Sequence, residues 1–475
     1  MGLFTPSYMK KITAPAEIEK ACKAVDRITD QARLLHISRN APTPEVRIRA
    51  AVKAEDAPSL AEICIQGNKG QKSGAFNALK YNLKETEAQQ DALAQIAIRC
   101  PDDYYQKVAI ENIKNDEPLA RIAREASDGS VARYAAFRIK DQDLLAKLAK
   151  EASAPVRGEA VSQLQDPDLI RTFAQDPSPA VRLSVAKHRM LKDSELRDRM
   201  ALEDPDPEVR LAAVKNTAGP VSSAVLASVL LKDSDPDVRK AAAENSGCTD
   251  SAALAKALLE DRNSEVRAAV VRNCCCSDPA ALGKAALEDP NPVIRRLAVE
   301  KPKMRDPEVL TRIAEDRALD EQLRATAIRK GVITDQALLT KIALDRDERG
   351  SVRAAAVSFL TDPEPLTALI QGYPVLRREA AVRLAHVAPA QAVEPLIELL
   401  LYYENNQTEA RNREAENQIR EAVNILKTQF LTAKDPAVRQ KIGSLPNRRY
   451  GWTCVDHCGN HSDYATHLDV SAVSR

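Results

Sequence analysis

One phrase returns along this chain at a nearly fixed interval, and that interval limits the fold more than any other feature. Asp204-Pro-Asp-Pro-Glu-Val-Arg is echoed by Asp233-Ser-Asp-Pro-Asp-Val-Arg and by Asp289-Pro-Asn-Pro-Val-Ile-Arg. The arginine recurs as Arg133, Arg157, Arg182, Arg210, Arg239, Arg267, Arg295, Arg324, Arg353 and Arg378, in steps of 24 to 29 residues. A unit this short cannot bury an apolar face alone and must stack on its neighbours, so the period predicts a solenoid with one continuous interior. A chain of 475 residues would otherwise suggest about three globular domains.

Each unit reads as two short helices. The first opens after an Asp/Pro turn, because proline lacks only an N–H that has no partner in the first turn and aspartate accepts bonds from the free amides. Val181 with Val185, Val209 with Ala213, and Val266 with Val270 then place one apolar stripe on its inner side. A second, leucine-led segment follows, with Leu196, Leu226, Leu254, Leu282, Leu310 and Leu338 falling 14 to 16 residues after the arginine. Aromatic residues make up only 4% of the chain, which suits close packing of short helices. The predicted fold is all-α.

Polar residues repeat as well. Asp176, Asp204, Asp233, Asp261, Asp289 and Asp347 each stand six residues before their arginine. This relation can build a ladder in which each guanidinium bonds a carboxylate or a turn carbonyl of its own or the adjoining repeat. The alternative is a row of arginines that binds phosphates. Because an Asp travels with each Arg, the ladder is the favoured reading.

These phrases, with the leucine that follows them, resemble the leucine-rich repeat variant family and, more broadly, HEAT-like α-superhelices. The resemblance covers roughly residues 130–385, with weaker units on both sides. Units of 24 to 29 residues are shorter than the roughly 40 of HEAT repeats, which favours the variant family. The resemblance implies a right-handed α-solenoid that alternates a helix with a second helix or a 3-10 segment. An iron–sulfur cluster near the N-terminus is associated with the variant family, but Cys22, Cys64 and Cys100 are too widely spaced for such a ligand run, so none is expected.

The expected organisation is helical and degenerate repeats over 1–129, regular repeats over 130–385, longer capping helices over 386–446, and an irregular Cys/His-rich tail over 447–475. Residues 66–76, rich in glycine and polar side chains, read as an exposed loop; they lack the order of a phosphate-binding loop. Val393 to Tyr403 and Thr408 to Leu431 read as the capping helices.

Lysine plus arginine (69) nearly balances aspartate plus glutamate (68), so no global field draws the protein to nucleic acid or an anionic membrane. The N-terminus lacks the apolar core of a signal peptide, no apolar run is long enough to span a bilayer, and Pro6 spoils a myristoylation motif at Gly2. Nine cysteines without a leader argue for free thiols and a cytoplasmic location. Cys274, Cys275 and Cys276 read as small residues filling a turn, with one exposed thiol open to oxidation.

The tail gathers the only tryptophan and three of the six histidines. Cys454, His457, Cys458, His461 and His467 offer enough thiolates and imidazoles for a four-ligand structural zinc site. Metal would supply the folding energy that a segment without a core lacks. No nucleophile motif, phosphate loop or metalloprotease helix occurs. The leading expectation is therefore a non-catalytic scaffold that receives a protein or peptide in the concave face of the solenoid. A nucleic-acid-binding or DNA-repair solenoid is second, and an enzyme using the tail metal with Asp456, Asp463 or Asp469 as base is third.

Overall fold

The computed structural model describes residues 6–405, together with the isolated position 425. Among these residues are 28 α-helices, three short 3-10 segments and no strand. The all-α expectation holds. No helix among the described residues is long and apolar enough to cross a membrane. The chain divides between Cys248 and Thr249 into two units.

In the first unit, residues 194–215 show how a repeat is assembled. The leucine helix Ser194–Glu203 is capped by Asp193, whose carboxylate accepts from the Leu196 N–H. Asp204 ends that helix, and its Oδ1 accepts the Asp206 N–H at 2.9 Å, folding the chain back within three residues. Asp206 then caps the arginine helix Pro207–Lys215 by accepting from Glu208 N–H, with Pro207 in the first turn. The turn therefore satisfies backbone amides that either helix end would otherwise strand.

Helices of nine or ten residues are marginal in isolation, so packing must hold them. Val209, Ala213 and Val214 are buried on the arginine helix, and Leu196, Met200 and Ala201 on the leucine helix. Within each unit, the arginine helices between Gly129–Arg138 and Gly350–Val357 pack on one another more extensively than the leucine helices beside them. Small residues permit this approach: a Cβ on Gly158 would lie 3.2 Å from the Ala180 carbonyl of the next arginine helix.

The second unit repeats the plan from the helix Ser264–Arg272 onward. Val266, Val270, Leu282, Leu310 and Leu338 are all buried there, as their spacing predicts. The second segment of each repeat is α-helical; one 3-10 extension, Phe173–Gln175, follows the shortened helix Pro167–Thr172 in the first unit.

Residues 66–76 depart from the reading as a loop. From Lys69 they begin the helix Lys69–Tyr81, capped by Asn68 in a reciprocal box with Gln71. Two helical glycines cost about 1 kcal/mol each relative to alanine. Burial of Ala75, Phe76, Ala78 and Leu79 offsets that cost. At the C-terminal end, the apolar stretch from Val393 lies in the helix Pro389–Asn405. The expected helix from Thr408 to Leu431 falls almost entirely outside the described residues.

Candidate functional site

The arginine row was the most regular candidate for a binding feature, and the structure commits much of it to the fold. In the first unit, Arg182 Nε and Nη2 donate to both carboxylate oxygens of Asp204, one repeat on, at 2.8 and 2.9 Å. Its Nη1 donates to the carbonyl of Asp176, six residues before it. Arg157 with Asp176 and Arg210 with Asp233 make the same forward bidentate pair. Arg267 and Asp289 repeat it in the second unit. Each aspartate thus folds its own turn and receives the arginine of the preceding repeat. Hydrogen bonding to these carboxylates raises the pKa of Arg182, Arg210 and Arg267 beyond the ordinary value, against the opposing effect of burial. For Asp176, burial pushes the carboxyl up, but the Arg157 bonds, the Ser178 N–H and the charges of Arg157 and Arg182 together outweigh it, so the net shift is downward.

Later in the second unit the pattern changes, and the expectation for Asp347 is corrected. The turns 316–320 and 345–349 are five residues long, where 204–206 has three. The two added residues displace the aspartate. Arg324 pairs with Glu348 and with the Ala314 carbonyl, while Arg353 bonds the Ala343 carbonyl and stacks 4.6 Å from the Tyr373 ring centroid. Arg295 keeps its bonds to the Asp289 and Pro290 carbonyls, but its buried Nε has no partner.

A second ladder, not anticipated from the sequence, runs along the opposite ends of the arginine helices. Asn216 Nδ2 donates to the Ala186 carbonyl and Asn245 Nδ2 to the Val214 carbonyl, each at 2.7 Å across one repeat. Lysines take the role in the second unit, where Lys301 Nζ donates to the Asn273 carbonyl and Lys330 Nζ to that of Lys301. These groups close carbonyls that every helix C-terminus leaves open. The signal was present in the sequence: Asn216, Asn245 and Asn273 recur in register with the arginines.

Arg133 stands outside the ladder: its side chain is 60% exposed and only approaches Glu159, at 4.0 Å. N-terminal to these ladders, the helices Asp103–Asn112 and Gly129–Arg138 of the first unit carry solvent-facing aromatic side chains. Tyr104 is 66% exposed and packs edge-on against the buried Tyr105 ring. Phe137 is 58% exposed. Between them Lys107 lies over the Tyr134 ring, 5.9 Å from its centroid, and the Tyr134 hydroxyl donates to Glu111. In a chain only 4% aromatic, this concentration departs from the leucine, lysine and serine found at outward positions of later repeats. Sequence reasoning did not single out these residues.

The proposed zinc ligands Cys454, His457, Cys458, His461 and His467 lie outside the described residues, as do Asp456, Asp463 and Asp469. Among the described residues, no group of three His, Cys, Asp or Glu side chains could hold a metal ion. Cys64 and Cys100 are buried, and burial drives the Cys64 thiol up to about 12.

No protein-family model matches the sequence, and no curated protein matches it. Among structures, the chain is similar to a homology model of the full-length AP-3 complex in an intermediate open conformation, at 12% identity over 90% of this chain and 93% of that one, with a TM-score of 0.36. It is similar to importin beta, crystallised in a polyethylene glycol condition, at 11% identity over 90% of this chain and 73% of that one, TM-score 0.36. It also aligns with a chain from the structure of Kap95p with RanGDP, at 14% identity over 86% of this chain and 61% of that one, TM-score 0.31. At these TM-scores the alignments carry no inference about partners.

Proposed function

We propose that this chain is a non-catalytic scaffold that binds a protein or peptide on the solvent face of its arginine helices. The observation that carries the reading is the pair of exposed aromatic side chains Tyr104 and Phe137, with the half-buried Tyr134 on the same two helices. Aromatic side chains dominate the energetics of protein interfaces because they bury large areas with few rotatable bonds. Beneath that surface Arg138 donates to the Ile110 and Ile113 carbonyls, tying the two helices together and lowering the ordering cost of association.

The forward pairs of Arg157, Arg182, Arg210 and Arg267 speak against the nucleic-acid reading, because their guanidinium edges are already occupied by carboxylates. α-Helices in both layers fit a HEAT-like arrangement, while the 24-to-29-residue period fits the leucine-rich repeat variant. Nine cysteines suit a reducing compartment such as the cytoplasm. The tail residues Cys454, His457, Cys458, His461 and His467 remain our proposed structural zinc site, to be tested by metal analysis of the full chain and of a chain ending at Pro446.

The scaffold reading is tested by affinity capture with the parent and with Tyr104→Ala/Phe137→Ala. The expected result is a defined partner retained by the parent and lost from the variant, with unchanged helical circular dichroism. Identical capture by both proteins would overturn the assignment of the surface.

A further inference from the structure

We propose that Cys274 and Cys275 form a binding site for a soft monovalent metal cation of the Cu(I) class, held between two thiolates on one turn of the second unit. The two sulfurs stand 3.8 Å apart, with Cys274 exposed and Cys275 half-buried. Two metal–sulfur bonds of about 2.3 Å span at most ~4.6 Å, so the pair already brackets a shared ion with little rotation.

The turn beneath them is fixed from several sides. Asn273 Oδ1 accepts the Cys275 N–H at 2.8 Å, and the Asn273 carbonyl accepts both the Cys276 N–H and Lys301 Nζ. Cys276 is buried, at the position where Met304 and Ile333 plug the turns of the following repeats. Burial raises its thiol to about 11, so it anchors the turn and leaves its two neighbours at the surface. The Cys274 hydrogen bond also raises Cys275, while the nearby Lys301 charge opposes that shift. A cation that displaces the shared proton relieves the contact between the two sulfurs.

The donor set selects the metal. Zinc in a structural site takes four protein ligands and calcium takes six or more oxygens. Among the described residues no third Cys, His, Asp or Glu joins the pair. Two thiolates alone satisfy a soft ion of low coordination number, for which sulfur is the preferred donor. On binding, both thiols release their protons to solvent, one Cu(I) joins two sulfurs with no change of oxidation state, and Lys301 offsets the net negative charge.

The test uses the full-length reduced chain, loaded anaerobically with Cu(I) against a chromophoric bicinchoninate competitor. To remove binding by the tail, Cys454→Ser/Cys458→Ser serves as the reference background. In that background one equivalent of Cu(I) should be retained, with X-ray absorption showing two sulfur neighbours. Adding Cys274→Ser/Cys275→Ser should abolish that equivalent, and either single change should weaken it at least tenfold, with unchanged circular dichroism. Copper retained by the fourfold variant, single variants that bind as tightly as the reference, or nitrogen ligation in the reference would each overturn the proposal.

Discussion

Removing the Arg210 side chain should destabilise its repeat by about 3–5 kcal/mol, whereas the same truncation at Arg295 should cost about 1 kcal/mol. The contrast follows from what each change leaves behind. The Arg210 and Asp233 side chains are only 10% and 5% exposed. Asp233 accepts from Arg210 Nε, Arg210 Nη2 and the Asp235 N–H at 2.7, 2.8 and 2.9 Å. Arg210→Ala therefore leaves a buried carboxylate with one donor of three, the situation that makes breaking a buried pair expensive. Arg295 donates only to two turn carbonyls. Its loss strands no carboxylate and removes a buried Nε that has no partner, so the two effects largely cancel.

Repeat arrays need not unfold in one step, so the suitable assay is native-state hydrogen exchange at the amides of Asp235 and Val238, compared with the corresponding turn residues beyond Arg295. At 1.4 kcal/mol per factor of ten, Arg210→Ala should reduce protection roughly a hundredfold or more. Arg210→Met/Asp233→Leu should be less costly than Arg210→Ala, because no buried charge remains. Equal losses for Arg210→Ala and Arg295→Ala would refute the reasoning, since the pair would then contribute nothing beyond the carbonyl bonds.

Two further outcomes follow. Burial raises the Glu348 carboxyl, but the Arg324 bonds, the Arg349 N–H and the charges of Arg324 and Arg317 together outweigh that effect, and Asp176 behaves alike among Arg157, Ser178 and Arg182, so both folded pKa values lie below the ordinary 4.5 and 3.8. Their stabilisation is therefore fully present above those values and is lost as pH falls through the lower folded ones; a midpoint titration by circular dichroism should show the Glu348→Gln chain losing less stability below pH 4.5 than the parent. Gly331 has φ +66°, and a Cβ there would come within 2.9 Å of the Phe359 ring, so Gly331→Ala should cost at least roughly 1–2 kcal/mol, visible as a lowered thermal midpoint.

Much of this architecture was legible in the residues because local and tertiary demands coincide. Asp206 and Pro207 start a helix on local grounds, and Val209 with Ala213 fixes which side of it is buried. The forward direction of the arginine bonds was not legible, since a spacing of six residues marks only the carbonyl each arginine shares with its own repeat. Arg324 chose Glu348 over Asp347 because a longer turn moved the neighbouring carboxylates, a geometric effect that residue type does not report. The helix Lys69–Tyr81 was missed because its glycines were weighed above its Asn68 cap and its buried alanines. Of the proposed binding surface, nothing in the repeat phrase pointed to Tyr104 or Phe137, because the phrase describes the positions that face the interior.

The central claim is that no helix pair stands alone and that neighbouring repeats share one interior. Far-ultraviolet circular dichroism of the isolated peptide 194–215, beside the full chain, tests it most directly. The account predicts a largely unfolded peptide with no cooperative thermal transition, because its valine and leucine stripes have no adjoining repeat to cover them. A peptide that folds cooperatively by itself would contradict it.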